Sequence, residues 1–234
     1  AFDLAGMGDS EMRGVADIAA RGKEFVEISE ALDLFADGSR PTIIAHSFGS
    51  GAALTAVSQS PDAFAGVIVC DLMVMRPEKL EKYWTMGRSS PGSGNPDKPV
   101  RRYPTYEAAR ERYILSPPQA VGEPFLMDYM AYHSLRRDGE EWTWKFSPEV
   151  FRRSNKPDEW LTVGQRLVDA PGRKAIVYGE KSQLFDRDSA RYIRELGGGK
   201  IPIVAVPDAR HHLMLDQPLA FVAALRAVLA FWSL

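Results

Sequence analysis

Short runs of apolar and β-branched residues recur along the chain, and they predict strands. The clearest runs are 42–45, 67–71 and 174–178. Each is nearly continuous instead of alternating with polar residues, which is typical of parallel strands covered on both faces. A fourth run, 201–206, contains Pro202. Proline cannot donate a ladder hydrogen bond, so this run predicts an edge strand or a strand start.

Segments with helical spacing of apolar residues lie between these runs. The predicted helices span 15–36, 49–59, 186–196 and 218–232. The first contains Gly22, where the pattern predicts a break, and it ends at Asp37-Gly38. Because strands and helices alternate, we expect an α/β fold with a mostly parallel sheet and helices on both of its faces.

The stretch 72–170 has a different composition. It lacks a clear buried-strand run and holds four of the five tryptophans and six of the eight tyrosines. Candidate helices in it lie around 77–86, 105–114, 122–137 and 157–168. We therefore expect a core formed by 1–71 and 171–234, with 72–170 inserted as a helical cap.

Charge and cysteine content exclude several classes of partner. The net charge of the 234 residues is −2, which favours neither nucleic acid nor an anionic membrane surface. The longest apolar stretch, 219–234, is interrupted by Arg226 and fits a terminal helix better than a membrane span. Cys70 is the only cysteine, so the chain forms no internal disulfide, which fits a cytoplasmic protein.

The sequence Ala45-His46-Ser47-Phe48-Gly49 follows the first predicted strand directly and opens a helix. A serine on a tight strand-to-helix turn is the pattern of a nucleophile elbow, usually Gly-x-Ser-x-Gly. Alanine replaces the first glycine here. The alternative interpretation is an ordinary strand–turn–helix with an incidental serine.

Three motifs in this order resemble the α/β-hydrolase superfamily, in the branch with a helical cap after the strand that follows the nucleophile. The stretch 3–10 resembles the family loop Asp-x-x-Gly-His-Gly-x-Ser, with Met7 in place of histidine. The stretch 45–49 matches the elbow, and 211–218 resembles the loop of the catalytic histidine. The resemblance implies further strands ahead of the first motif, so we expect an N-terminal truncation.

The resemblance implies that Ser47 is the nucleophile and His211 the base, with neighbouring His212 as the competitor. The family's usual aspartate position, three residues after Gly179, holds Ser182. Because serine cannot carry the required negative charge, we expect the acid to be Asp71, at the end of the next strand. The alternatives are Asp186, Asp188 or no effective acid.

The remaining expectations concern the oxyanion and the substrate. The resemblance implies that the Phe48 backbone N–H is one oxyanion donor, with a second donor on a loop that this sequence does not include. We expect His46 to be structural and His133 to lie in the cap. The implied chemistry is cleavage of esters or lactones of small to medium apolar substrates, without cofactor or metal ion. Carbon–carbon bond hydrolysis, acyl transfer and ligand binding without catalysis are the alternatives.

Overall fold

We describe a computed structural model of the chain, which covers residues 1–11, 17–85, 100–121, 123–147 and 160–233. Contacts divide the chain into two compact units. The sheet unit comprises Ile18–Arg88 and Lys156–Leu234. The aromatic unit comprises Ala1–Asp17 and Ser89–Asn155. These bounds differ from the cap of 72–170 that the composition suggested.

The described residues form short strands and helices. The strands are β1 Thr42–His46, β2 Gly66–Cys70, β3 Arg102–Tyr103, β4 Leu135–Asp138, β5 Glu141–Trp144, β6 Arg173–Gly179 and β7 Ile203–Val206. The helices are α1 Ile18–Ala31, α2 Phe48–Gln59, α3 Pro77–Thr85, α4 Tyr106–Arg110, α5 Pro124–Ser134, α6 Val163–Asp169, α7 Arg187–Gly197, α8 Leu213–Asp216 and α9 Pro218–Trp232. Within the described ranges, no helix is long and apolar enough to cross a lipid bilayer.

The sheet unit contains a parallel sheet with the strand order β1-β2-β6-β7, as expected for an α/β fold. All five residues of β2 are buried, which explains its continuous apolar sequence. His46 lies opposite Cys70, and Cys70 lies opposite Val177. Strands β1 and β2 end in register, and β6 ends two residues later. The residues that follow these parallel strands therefore leave the sheet at the same carboxyl end.

The edge strand β7 confirms the prediction made from Pro202. This proline directly precedes β7, which among the described strands pairs with β6 alone. The Pro202 carbonyl accepts a hydrogen bond from the Ile176 N–H at 2.9 Å, so the residue takes part in the sheet through its acceptor alone.

Gly22 does not break the first helix, and that expectation is wrong. Helix α1 is continuous through Gly22, which packs against α2. A β-carbon at this position would lie 2.8 Å from the Thr55 methyl group and 3.1 Å from the Ala56 backbone nitrogen. The glycine therefore allows two helix backbones to approach closely. Residues 15 and 16 of the predicted helix lie outside the described residues.

The aromatic unit contains strands as well as the helices expected for this part of the chain. Its strands form an antiparallel sheet with the order β3-β5-β4. Strands β4 and β5 are joined by the two residues Gly139 and Glu140, with φ 67° at the glycine. Glycine at the first position of a two-residue hairpin loop is a recognised signal. The helical spacing over 122–137 obscured it, because α5 ends directly at β4.

The N-terminal residues also belong to the aromatic unit. Met7 forms an isolated antiparallel bridge with Phe146, and the Ser147 N–H donates to the Gly6 carbonyl at 2.9 Å. The Asp3 carboxylate accepts a hydrogen bond from the Asp9 N–H at 3.0 Å and so closes the loop on itself. The motif at 3–10 is therefore a compact loop anchored on β-structure.

Candidate active site

Ser47 lies on a sharp turn between β1 and α2. Its backbone has φ 52° and ψ −119°, a combination that is strained for a residue other than glycine. Hydrogen bonds hold the turn: the Ser47 N–H donates to the Cys70 carbonyl at 2.9 Å, and the Ser50 hydroxyl donates to the Ala45 carbonyl at 2.7 Å. The sequence thus folds as an elbow that carries the serine at the end of a strand.

A continuous hydrogen-bonded chain joins Ser47, His211 and Asp71. The Ser47 Oγ lies 2.9 Å from His211 Nε2, and His211 Nδ1 lies 2.9 Å from Asp71 Oδ1. A carboxylate only accepts, so Nδ1 donates to Asp71 and Nε2 is left to accept the hydrogen bond from the Ser47 hydroxyl. His211 and Asp71 are 3% and 0% exposed, which shields this contact from water. The structure therefore brings together the three residues that the sequence singled out.

The Asp71 carboxylate is held by three donors. Oδ2 accepts from the Gly179 backbone N–H at 2.8 Å. Oδ1 accepts from the Ser182 hydroxyl at 2.6 Å as well as from His211. Ser182 itself accepts from the Leu184 N–H at 3.1 Å. A buried carboxylate is tolerated when it is hydrogen-bonded in this way, and its geometry is then fixed.

Ser182 thus occupies the family's usual acid position and still contributes to the site. In the sequence, Ser182 is only a departure from the family pattern. Its bond to Asp71 could not be predicted, because the two residues lie 111 positions apart. The other candidate acids have different partners. Asp186 caps the N-terminus of α7 and pairs with Lys79 at 2.5 Å, while Asp188 lies 3.4 Å from Arg76.

Gly179 allows the histidine loop to approach the strand ends. A β-carbon at Gly179 would lie 2.3 Å from the Arg210 carbonyl oxygen and 2.6 Å from that of Ala209. The loop is tied down by the Arg210 N–H, which donates to Asp216 Oδ2 at 2.7 Å, and by the Lys181 N–H, which donates to the Ala209 carbonyl at 2.8 Å. No larger residue fits at the strand end without moving the backbone that carries His211.

His46 supports the base through the backbone. Its Nε2 donates to the His211 carbonyl oxygen at 2.8 Å, since a carbonyl can only accept. Burial, together with the neighbouring His211, lowers the pKa of His46 from 6.5 to about 3, so its ring is neutral at ordinary pH. The sequence indicated a structural role for this residue but not its partner, which lies 165 positions away.

Two other groups near the elbow have defined environments. Cys70 precedes the acid and is buried, and burial together with Asp71 raises the pKa of its thiol to about 12. The thiol is therefore protonated at neutral pH and does not compete with Ser47 as a nucleophile. Phe48 is the first residue of α2, so its backbone N–H directly follows the serine.

His133 lies on α5 of the aromatic unit, against Tyr129 and Tyr132.

Comparison with known families agrees with this geometry. A model of the alpha/beta hydrolase family matches residues 1–225. The chain belongs to the alpha/beta hydrolase family. Membership supports a hydrolase function, and the parallel sheet with its elbow is the corresponding fold.

Solved structures similar to this α/β-hydrolase include several hydrolases. E-2-(acetamidomethylene)succinate hydrolase is 15% identical with a TM-score of 0.75, over 97% of this chain and 80% of that one. An esterase of Mycobacterium tuberculosis is 18% identical with a TM-score of 0.71, over 97% and 73% of the two chains. An esterase of Thermogutta terrifontis is 17% identical with a TM-score of 0.62, over 98% and 78%. A comparison with curated proteins gave no significant match. At these identities the structural likeness shows the fold alone.

Proposed function

We propose that this α/β-hydrolase is a serine hydrolase that cleaves carboxylic esters or lactones through an acyl-enzyme. The observation that carries the proposal is the unbroken chain from Ser47 Oγ through His211 to the buried Asp71, with both contacts at 2.9 Å. A serine becomes a useful nucleophile when a positioned base accepts its proton and an acid orients that base.

The reaction follows from these contacts. Ser47 Oγ attacks the carbonyl carbon while His211 Nε2 takes the hydroxyl proton, and Asp71 stabilises the imidazolium that forms. The Phe48 backbone N–H stabilises the oxyanion, as the family resemblance implies. The alcohol then leaves with the proton from His211. A water molecule, activated by the same nitrogen, hydrolyses the acyl-enzyme and restores the serine.

The apolar substrate class is inferred from the aromatic composition of the stretch 72–170, which holds four of the five tryptophans and six of the eight tyrosines. Two of the similar structures are described as esterases, and another is a thioesterase domain. Thioesters would react through the same groups.

A fluorophosphonate probe and p-nitrophenyl esters of increasing chain length test the proposal. We expect the wild-type chain to be labelled at Ser47 and to turn over short esters. Ser47→Ala should remove labelling and lower turnover by about a thousandfold or more. Ser58→Ala is the matched control, because Ser58 is exposed and its hydroxyl bonds the Leu54 carbonyl of its own helix. Labelling that persists in Ser47→Ala would contradict the proposal, and an unlabelled wild type would favour a ligand-binding member of the fold.

A further inference from the structure

Three imidazole rings meet on the serine side of the candidate active site. His46 directly precedes Ser47, and His211 and His212 are neighbours in the loop before α8. The ring centroids lie 4.7 Å apart for His46 and His211, 4.8 Å for His211 and His212, and 5.7 Å for His46 and His212. One nitrogen from each ring lies within 4.8 Å of the others, which makes this a cluster of three ligand atoms.

Hydrogen bonds hold two of the three rings in place. His211 directs Nδ1 to the buried Asp71, so the other ring nitrogen, Nε2, faces the serine. His46 is fixed to the His211 backbone, and the loop is fixed by the bond from the Arg210 N–H to Asp216. His211 and His46 are therefore oriented before any ligand arrives, and the tied loop places His212 beside them.

The pairing of His211 with Asp71 is also the arrangement that strengthens a metal-binding histidine. In metal sites a ligating histidine usually donates its second ring N–H to a carboxylate, which fixes the tautomer and raises ligand basicity. Asp71 accepts from Nδ1 in this way at 2.9 Å. The groups that prepare His211 to accept a proton from serine thus also prepare Nε2 to bind a cation.

The ligand type and spacing select the metal. Imidazole nitrogens favour Zn²⁺, Cu²⁺ and Ni²⁺ over Mg²⁺ and Ca²⁺, which take oxygen ligands. Tetrahedral Zn–N bonds of about 2.0–2.1 Å place ligand nitrogens about 3.3 Å apart. From the present separations of at most 4.8 Å, the nitrogens need to close by about 1.5 Å or less. Rotation of the half-buried His212 side chain covers such a distance, together with a shift of His46 that exchanges its bond to the His211 carbonyl for the ion.

We propose that a divalent transition-metal ion, with Zn²⁺ as the reference, binds His46, His211 and His212 and thereby inhibits the enzyme. The ion occupies His211 Nε2, so the hydrogen bond from Ser47 Oγ is lost and the base can no longer accept the serine proton. The fourth coordination position is left to water. The effect on rate rests on the proposed function, whereas binding of the ion does not.

Binding is tested by equilibrium dialysis of the full chain with ZnCl₂, and by the visible spectrum of the Co²⁺ complex. We expect one strong site per chain in the wild type and in Ser47→Ala, which keeps all three ligands. His212→Gln should weaken binding at least tenfold. His133→Gln is the matched control, since it changes the remaining histidine, which lies on α5, and should bind Zn²⁺ as the wild type does.

Inhibition is tested in parallel with an ester substrate. Zn²⁺ should inhibit the wild type and His133→Gln at the same concentration, and a chelator should restore the rate. His212→Gln, normalised to its own metal-free rate, should need at least tenfold more Zn²⁺. Equal binding in His212→Gln and His133→Gln, or no strong site in the wild type, would overturn the metal site. A chain that binds Zn²⁺ through His212 but cleaves no ester would instead contradict the proposed function alone.

Discussion

A buried polar network in the sheet unit contrasts with an exposed ion-pair network in the aromatic unit. In the sheet unit, Asp71, His211 and Ser182 are 0%, 3% and 7% exposed, and Asp71 bonds both of the others. In the aromatic unit, the ion pairs of Arg102 with Asp138 and Glu141 lie at the surface, and Arg102 is 51% exposed.

This difference predicts where single substitutions matter. Removing one member of a buried polar network leaves its partners without a hydrogen bond in a site that water does not reach, which costs far more than the net value of the bond. Exposed ion pairs contribute about 0–1 kcal/mol, because water and salt screen them. We therefore expect activity to depend steeply on the buried network and weakly on the surface pairs.

The largest effect is expected for Asp71→Asn. Asparagine has nearly the same shape but cannot balance the charge on His211, and its amide can hold the ring in the wrong tautomer. The value of kcat for a p-nitrophenyl ester should fall by about 10³–10⁴-fold, with little change in the circular dichroism spectrum. Asp186→Asn is the matched control: it changes the alternative acid, which caps α7, and should leave kcat within about twofold. A fall of less than tenfold in Asp71→Asn would rule out Asp71 as the acid.

The sequence predicted the sheet unit better than the aromatic unit, for a physical reason. Strands buried on both faces, such as β2, must be continuously apolar, and the elbow and histidine loop follow strand ends, so Ser47, Asp71 and His211 were identifiable. Strand β4 has the sequence Leu-Arg-Arg-Asp and is largely exposed. Its order of apolar and polar residues is therefore the same as that of the exposed face of a helix.

Contacts between residues that are distant in the sequence could not be predicted either. Ser182 and His46 reach their partners across 111 and 165 positions, and no local pattern reports such a pairing. The close approach at Gly22 is similar, because a glycine within a helical pattern suggests a break unless the neighbouring helix is known.

A smaller loss is expected for Ser182→Ala, which removes one donor from the acid. Hydrogen bonds to charged groups contribute about 1.5–3 kcal/mol, so the free energy of unfolding should fall by about 2 kcal/mol. The value of kcat should fall about tenfold, because Asp71 keeps the Gly179 and His211 donors. Denaturant titration and ester turnover measure the two effects. Unchanged kcat would show that Ser182 contributes to packing alone.

The pH dependence of stability tests the environment of His46. Its pKa is about 3 in the folded chain and about 6.5 when unfolded, so below pH 6.5 the unfolded state takes up a proton that the folded state does not. The stabilisation is complete above pH 6.5 and decreases as the pH falls, by about 2 kcal/mol at pH 5. His46→Gln, whose amide can still donate, should lack this component. Equal pH dependence of denaturation midpoints in both proteins would contradict the assignment.

The smallest effect is expected for Arg102→Met, on the surface of the aromatic unit. This arginine pairs with Asp138 at 2.5 Å and lies 3.6 Å from Glu141, and all three side chains are about one third to one half exposed. The free energy of unfolding should change by less than about 1 kcal/mol, and the difference should shrink further in 1 M salt because the charges are screened. Ester turnover should stay within about twofold. A loss of more than about 2 kcal/mol, or a fall in kcat of more than about tenfold, would contradict this comparison. The exposed ion pairs of the aromatic unit would then matter as much as the buried network of the sheet unit.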